Sequence, residues 1–403
     1  MVAEEAASAA AAAETVRAEP LEPPLPEQRA EGHGPPPHIQ AADPPQKAVG
    51  PKVVSPPWTL PPMPDFDRSA GSWVAVDCDA AYPEKASIYV AAPLETSEPA
   101  PVLLFISGNG HINDREDFLE GGVDLLLRNP SIRRKFCVVA PKPTTASGLV
   151  AYTSRSWRLE WSVDAVWAVF TAVLRSLGSD KVDVSRLYVT GISLGAAAVW
   201  HLAIKYGQHL AAAVPIGGRC AWPDNTWPPR QPLPDNPVRD RLRGLPLRAY
   251  QIDIDTRAGT PKPDMEWLTR GVEESSSVVS LPGMEPDTLI EVTIQSWKSP
   301  QVSAEGSEAR NGSRDALWEL WLAKGPLQDW SWWNHRGGDS HVLWWRVYTK
   351  EEWGLADFLL RHRAHADHLW SFADEPLVVN TSDQKRKLEE EWEAHKATKL
   401  GQN

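Results

Sequence analysis

The pentapeptide Gly191-Ile192-Ser193-Leu194-Gly195 constrains this 403-residue chain more than any other stretch, because of what stands on either side of it. Residues 187–190 read as a short buried strand, and Ala196-Ala197-Ala198-Val199-Trp200 is a strong helix opening. A GxSxG between strand and helix forces its serine into a strained backbone conformation, and the small flanking residues let the two elements approach without collision. The Ser193 hydroxyl would then project at a helix N-terminus, where the dipole and free N–H groups favour negative charge. A glycine-flanked serine in an ordinary turn shares the same five letters, so the strand before and the helix after are what distinguish the two.

The text around this motif alternates strand-like and helical runs, the pattern of an α/β fold with a mostly parallel central sheet flanked by helices. Residues 102–106 and 136–140 read as buried strands, the second stopped by Pro141, and 187–190 is entered from the turn Asp183-Val184-Ser185. Further strands are expected at 211–214, 247–254 and 289–294. Between the second and third strands, Val163, Val166, Trp167, Phe170, Val173, Leu174 and Leu177 recur at helical spacing, and Gly178 supplies the C-cap. Three segments read as insertions around the sheet: 222–246, 256–288 and 298–334. They belong to a domain over 58–375, and such loops usually carry ligand specificity.

The ends of the chain differ from this domain. Of the 37 prolines, 12 fall in residues 1–57, an Ala/Pro/Glu-rich tail with almost no large apolar side chain, which is expected to be disordered. At the other end, Lys385, Arg386 and Lys387 precede Glu389, Glu390 and Glu391 at i,i+4 spacing, predicting a charged C-terminal helix over 376–403.

Charge and cysteine usage exclude several classes. Lys plus Arg number 41 against 53 Asp plus Glu, a net charge of -12, so no basic stripe awaits a phosphate backbone and no nucleic-acid partner is expected. The three cysteines, Cys78, Cys137 and Cys220, are widely spaced and suit reduced thiols in a cytoplasmic protein. The N-terminal residues lack the charged and apolar regions of a signal peptide, and no apolar run is long enough for a membrane span.

A serine nucleophile at this elbow needs a base, an acid to orient it, and donors for the oxyanion. In the α/β-hydrolase fold they follow in the order Ser, then Asp or Glu, then His. His341, in the flexible turn Gly337-Gly338-Asp339-Ser340 ahead of an apolar run, is the preferred base, with His335 in reserve. The strand over 247–254 ends near Asp253 and Asp255, which share a face; either could hold the imidazole. The oxyanion donors are expected to be the backbone N–H groups of Leu194 and, from the loop Ser107-Gly108-Asn109-Gly110, of Asn109.

Several of these blocks together resemble the esterase and predicted-peptidase branch of α/β-hydrolases that includes polyhydroxybutyrate-depolymerase-like esterases. The likeness covers roughly 101–362. Its most specific part runs from Val182-Asp183-Val184-Ser185-Arg186-Leu187 through the elbow to Trp200. His341, Trp344 and Tyr348, then Trp353 and Leu359, are similar to that family's histidine block, and the stretch 246–255 is similar to its aspartate-bearing strand, which favours Asp255. The resemblance implies a Ser193–Asp255–His341 triad acting on esters, and in some relatives on peptides. Ser107 and Ala196 depart from the family pattern, which usually has histidine and glycine at these positions.

Competing constellations are weaker. His362, His365 and His368 could suggest a metal site, but without an HExxH glutamate they read as a solvent-facing helix, and no metal is expected. Trp330, Trp332 and Trp333 read as packing before pocket, and Cys220 as a small buried residue. The expectation is a cofactor-free serine hydrolase acting on a small-molecule ester or peptide; a catalytically silent, hydrolase-like binding protein is the alternative, and oligomeric state is left open.

Overall fold

A computed structural model describes residues 71–76, 84–95, 98–108, 118–145, 147–152, 159–218, 237–253, 265–266, 268–270, 272–282, 289–298, 317–324 and 343–374. The tail 1–57 and the segment 376–403 lie outside these residues, as do Asn109, Asp255, His335, His341, Cys220 and the cluster Trp330, Trp332 and Trp333.

The strands form a ten-stranded sheet. Its spatial order is β1 (Gly71–Val76), β2 (Ala86–Ala91), β4 (Cys137–Pro141), β3 (Ala100–Ile106), β7 (Val182–Ile192), β8 (Ala212–Ile216), β9 (Leu247–Ile252), β12 (Leu317–Ala323), β11 (Leu289–Lys298) and β10 (Glu274–Pro282). The short strands β5 (Val150–Tyr152) and β6 (Leu159–Trp161) pair as a separate hairpin. From β4 to β12 neighbouring strands are parallel. β2 runs antiparallel to both its neighbours, and the outer meander β12-β11-β10 is antiparallel throughout. The central strands β3, β4, β8 and β9 are buried along their whole length, as expected of parallel strands covered on both faces.

Two cores follow from the alternation of side chains. On one face Val102, Leu104, Val189 and Ala249 meet α3 (Val163–Leu177) and α4 (Leu194–Tyr206). On the other, Leu103, Phe105, Tyr188 and Tyr250 meet α1 (Asp124–Leu127), α6 (Trp344–Thr349) and α7 (Leu355–Leu360). The short helices α2 (Pro130–Lys135) and α5 (Pro237–Leu242) complete the layers. Helix α3 begins and ends where its periodicity predicts, with the Gly178 N–H donating to Leu174 O at 3.1 Å. Among the described residues no helix is long and apolar enough to cross a membrane.

The sheet is wider than the sequence indicates. Segments read as insertions contribute β10 and β12, and β12 pairs in parallel with β9, so the strand beside the expected acid is delivered by chain returning from the outer meander. The strand β7 begins at Val182: the Asp183 carboxylate accepts from Ser185 N at 3.0 Å and Ser185 Oγ at 2.6 Å, fixing as strand what reads as a turn. The segment carrying His362, His365 and His368 is irregular except for one 3-10 turn, Ala366–His368, and is not the helix expected. Its backbone is held elsewhere: Tyr188 Oη donates to His362 O at 2.9 Å and Ala364 N donates to Ser185 O at 2.8 Å. Among the described residues no group of three or more His, Cys, Asp or Glu side chains is placed to hold a metal ion.

The ion pair between Arg248 and Glu319 is buried inside this architecture. Arg248 on β9 sits opposite Glu319 on β12, and Arg248 Nε donates to the Glu319 carboxylate. The guanidinium also donates to Gly354 O at 3.0 Å and lies between the rings of Trp321 and Phe358, 4.4 and 4.3 Å from their centroids. Tyr250 Oη donates to Trp353 O at 2.6 Å. Burial opposes the Arg248 charge, but Tyr250 and Glu319 outweigh it and hold its pKa above the usual value. Removing one partner strands the other charge inside the protein, so Arg248→Met is expected to cost about 3–5 kcal/mol in chemical denaturation. Arg248→Met/Glu319→Leu should recover most of that loss.

Candidate active site

The carboxyl ends of β3, β7, β8, β9 and β12 form one rim, and Ser193 occupies the first residue past β7. Its backbone has φ 55° and ψ −117°, and it is the one non-glycine residue with positive φ among the described residues. Such a conformation costs on the order of 1–3 kcal/mol and persists only where the surroundings impose it. Here the Ser193 N–H donates to Ile216 O on β8 at 3.0 Å, while its carbonyl accepts from Ala197 N at 3.2 Å and starts α4.

The glycines around it are set by backbone approach. A Cβ at Gly191 would lie 2.7 Å from Ile106 O, and one at Gly195 would lie 2.1 Å from the same atom. Gly218, just past β8, would place a Cβ 2.2 Å from Ser193 O and 2.6 Å from the Ala196 Cβ. Gly218 therefore leaves the room that the Ala196 methyl fills, which accommodates one of the two departures from the family pattern. The strand, turn and helix thus meet with a strained serine between them, on a sheet in which β1-β2-β4-β3-β7-β8-β9-β12 has β2 as its single antiparallel member. This is the α/β-hydrolase fold.

The loop after β3 faces the elbow: a Cβ on Gly108 would lie 3.3 Å from the Ser193 Cβ. The loop is anchored by Trp161 Nε1, which donates to Ser107 O at 3.1 Å. The Ser107 hydroxyl itself is wholly buried and has no hydrogen-bond partner among the described residues. Leu194 is the first residue of α4, a position whose N–H has no partner within its own helix. On the other side of β8, Trp200 Nε1 donates to Gly218 O at 3.1 Å and fixes the turn against α4.

Two further expected participants can be approached from described neighbours. Asp253 leaves β9 with its N–H donating to Ala323 O at 2.9 Å, and the residue is exposed. Asp255, His341 and Asn109 lie outside the described residues. Leu343 is buried in the same core as Ile192 and Ile216, and it caps α6. That helix is pinned under the elbow by Tyr348, whose Oη lies 3.1 Å from Thr190 Oγ1 and whose ring meets Phe105 edge-on at 5.7 Å. Burial pushes the Tyr348 phenol far up, so it stays neutral. Sequence reasoning did not single out Gly218, Thr190 or Trp161, because each acts through a contact distant in the chain. Cys137 is buried and its thiol is pushed up to about 12, which leaves it neutral at physiological pH.

No protein-family model matches the chain, and no curated protein matches its sequence. Solved structures do resemble it. A thermostable esterase aligns with a TM-score of 0.47 and 14% identity, over 73% of this chain and 64% of its own. The match therefore spans less than two thirds of that esterase. An S-formylglutathione hydrolase from Agrobacterium tumefaciens aligns with a TM-score of 0.36 and 14% identity, over 50% of this chain and 83% of its own. Est1E from Butyrivibrio proteoclasticus gives 0.33 and 14%, over 48% and 83%.

The strain at position 193 can be measured directly. Ser193→Gly should be more stable than Ser193→Ala by about 1 kcal/mol in chemical denaturation, because glycine has no Cβ to oppose the positive φ. Equal stabilities would show that the turn is relaxed.

Proposed function

We propose that the chain is a serine hydrolase that cleaves a carboxylic ester through an acyl-enzyme, with Ser193 as nucleophile, His341 as base and Asp255 as orienting acid. The observation that carries this reading is the Ser193 backbone, held at φ 55° between β7 and α4. Strain maintained by three converging backbones presents a side chain at the rim, and a merely structural turn has no need of it.

The chemistry divides into two halves. Ser193 Oγ attacks the ester carbon as its proton passes to the His341 imidazole, and the carbonyl oxygen gains the negative charge. The N–H groups of Leu194 and Asn109 take that charge, and the N-terminus of α4 adds its dipole. The imidazolium then protonates the departing alcohol. Water, deprotonated by the same imidazole, attacks the acyl-enzyme and returns Ser193 to its starting form. No cofactor enters either half.

Neighbouring residues support each assignment. The Gly108 backbone stands beside Ser193, one residue before Asn109. Asp253 is exposed, whereas an acid that orients an imidazole works best shielded from water, which favours Asp255. Leu343, two residues beyond His341, is buried with Ile192 immediately before the nucleophile. Peptide hydrolysis would use the same groups. The Ser107 hydroxyl, without a partner among the described residues and at the position where the resembling family has histidine, favours a hydrolase-like binding protein as the second reading.

A fluorophosphonate probe is expected to label the protein at Ser193, and Ser193→Ala and His341→Ala should each lower kcat on short esters by about 10⁴ or more. Ester turnover that survives in Ser193→Ala would remove the proposal, and a folded protein that the probe never labels would select the binding reading. For the acid, Asp255→Asn should cost about 10⁴ in kcat while Asp253→Asn changes it little. The reverse order would exchange their roles.

A further inference from the structure

Among the described residues, the sheet ends in a strand whose outer edge pairs with no other strand. β10 pairs with β11 over nine consecutive residue pairs, Glu274↔Trp297 to Pro282↔Leu289, without a register shift. An antiparallel strand directs half its backbone N–H and C=O groups toward one neighbour and half toward the other side. Among the described residues, the one hydrogen bond from β10 to anything other than β11 is at its far end, where Pro282 O accepts from Trp353 Nε1 at 3.4 Å. The rest of the outward row is open.

Edge strands of soluble proteins are usually blunted by lysines, internal prolines, bulges or short length. β10 reads Glu-Ser-Ser-Ser-Val-Val-Ser-Leu-Pro: it has no basic residue, no proline before its last position and no bulge. Val278 at its centre is 61% exposed, and Leu289, opposite Pro282 and on the same sheet face, is 69% exposed. These are two of the three large apolar residues exposed among the described ones, and both belong to this hairpin.

We propose that this edge is the dimer interface of the protein, where β10 pairs antiparallel with β10 of a second copy across a two-fold axis through Val278. Composition is what favours a second copy over another strand. Pairing about Val278 sets Val278 against itself, Ser276 against Ser280, Ser277 against Val279, Ser275 against Leu281 and Glu274 against Pro282. Apolar side chains meet at the axis and small hydroxyls flank them. The strand's one charge, Glu274, falls at opposite ends of the pair, about 27 Å from its own copy at roughly 3.4 Å per residue. That separation exceeds the ~8 Å over which charges act at physiological ionic strength. The two-fold arrangement uses both edges at once, so the assembly closes as a dimer and does not grow into a filament.

The test is the mass in solution, read by sedimentation equilibrium from about 1 to 100 μM with the full chain. The wild type is expected to be dimeric in this range. Val278→Lys places two ammonium groups together at the axis and should weaken the dimer by about 100-fold or more while leaving the thermal melt of the monomer unchanged. Val278→Cys gives a conservative check: Cα atoms opposed across an antiparallel pair lie roughly 4.5–5.5 Å apart, inside the disulfide range. Air oxidation should therefore convert this variant to a covalent dimer, while Leu94→Cys, equally exposed elsewhere, stays uncrosslinked. A monomeric wild type at 100 μM overturns the proposal. So does a dimer that persists unchanged in Val278→Lys, or a Val278→Cys variant that forms no more crosslink than Leu94→Cys.

Discussion

Everything at the rim depends on how closely three backbones converge on Ser193. The end of β3, the turn from β7 into α4, and the turn after β8 approach so nearly that side chains at 191, 195 and 218 would overlap carbonyl oxygens. Close approach does two things at once. It forces the serine into its positive-φ conformation, and it brings the N–H at the start of α4 beside the loop that leaves β3. The strained serine, the N-terminus of α4 and the loop that leaves β3 are therefore consequences of one packing event.

The central sheet and the elbow were legible because their signals are local. β3, β4 and β8 are short apolar runs, and α3 has a strong period and a glycine stop, so they could be read one segment at a time. The outer strands were less visible. β10 has four serines among its nine residues and buries none of them fully, and it is a strand because β11 pairs with it. β12 lies in a segment that reads as an insertion, yet Trp318, Leu320 and Leu322 face one core while Trp321 and Ala323 face the other. The irregular histidine segment 362–365 shows the same limit: Tyr188 and Ser185 claim its backbone, and neither is near it in sequence.

At the candidate site, the motif disclosed Ser193 and Leu194 together with the reason for the glycines that flank them. Gly218 escaped notice because its role is to make room for Ala196 and the Ser193 carbonyl, and nothing in its own neighbourhood announces that. The same holds for the Arg248–Glu319 pair. In sequence these are two charged residues among many, and only the pairing of β9 with β12 brings them face to face beneath two aromatic rings.

The path of the chain between β9 and β12 has a consequence for how this fold can vary. The polypeptide leaves the sheet after Ile252, builds β10 and β11, and comes back to lie against the strand it left. Such a detour departs from and returns to one seam, so its length is decoupled from the geometry of the rim that holds Ser193. Residues could be added to or lost from the meander across evolutionary time while Ile252 still meets Ala323. The surface offered to other molecules can change independently of the elbow it is attached to.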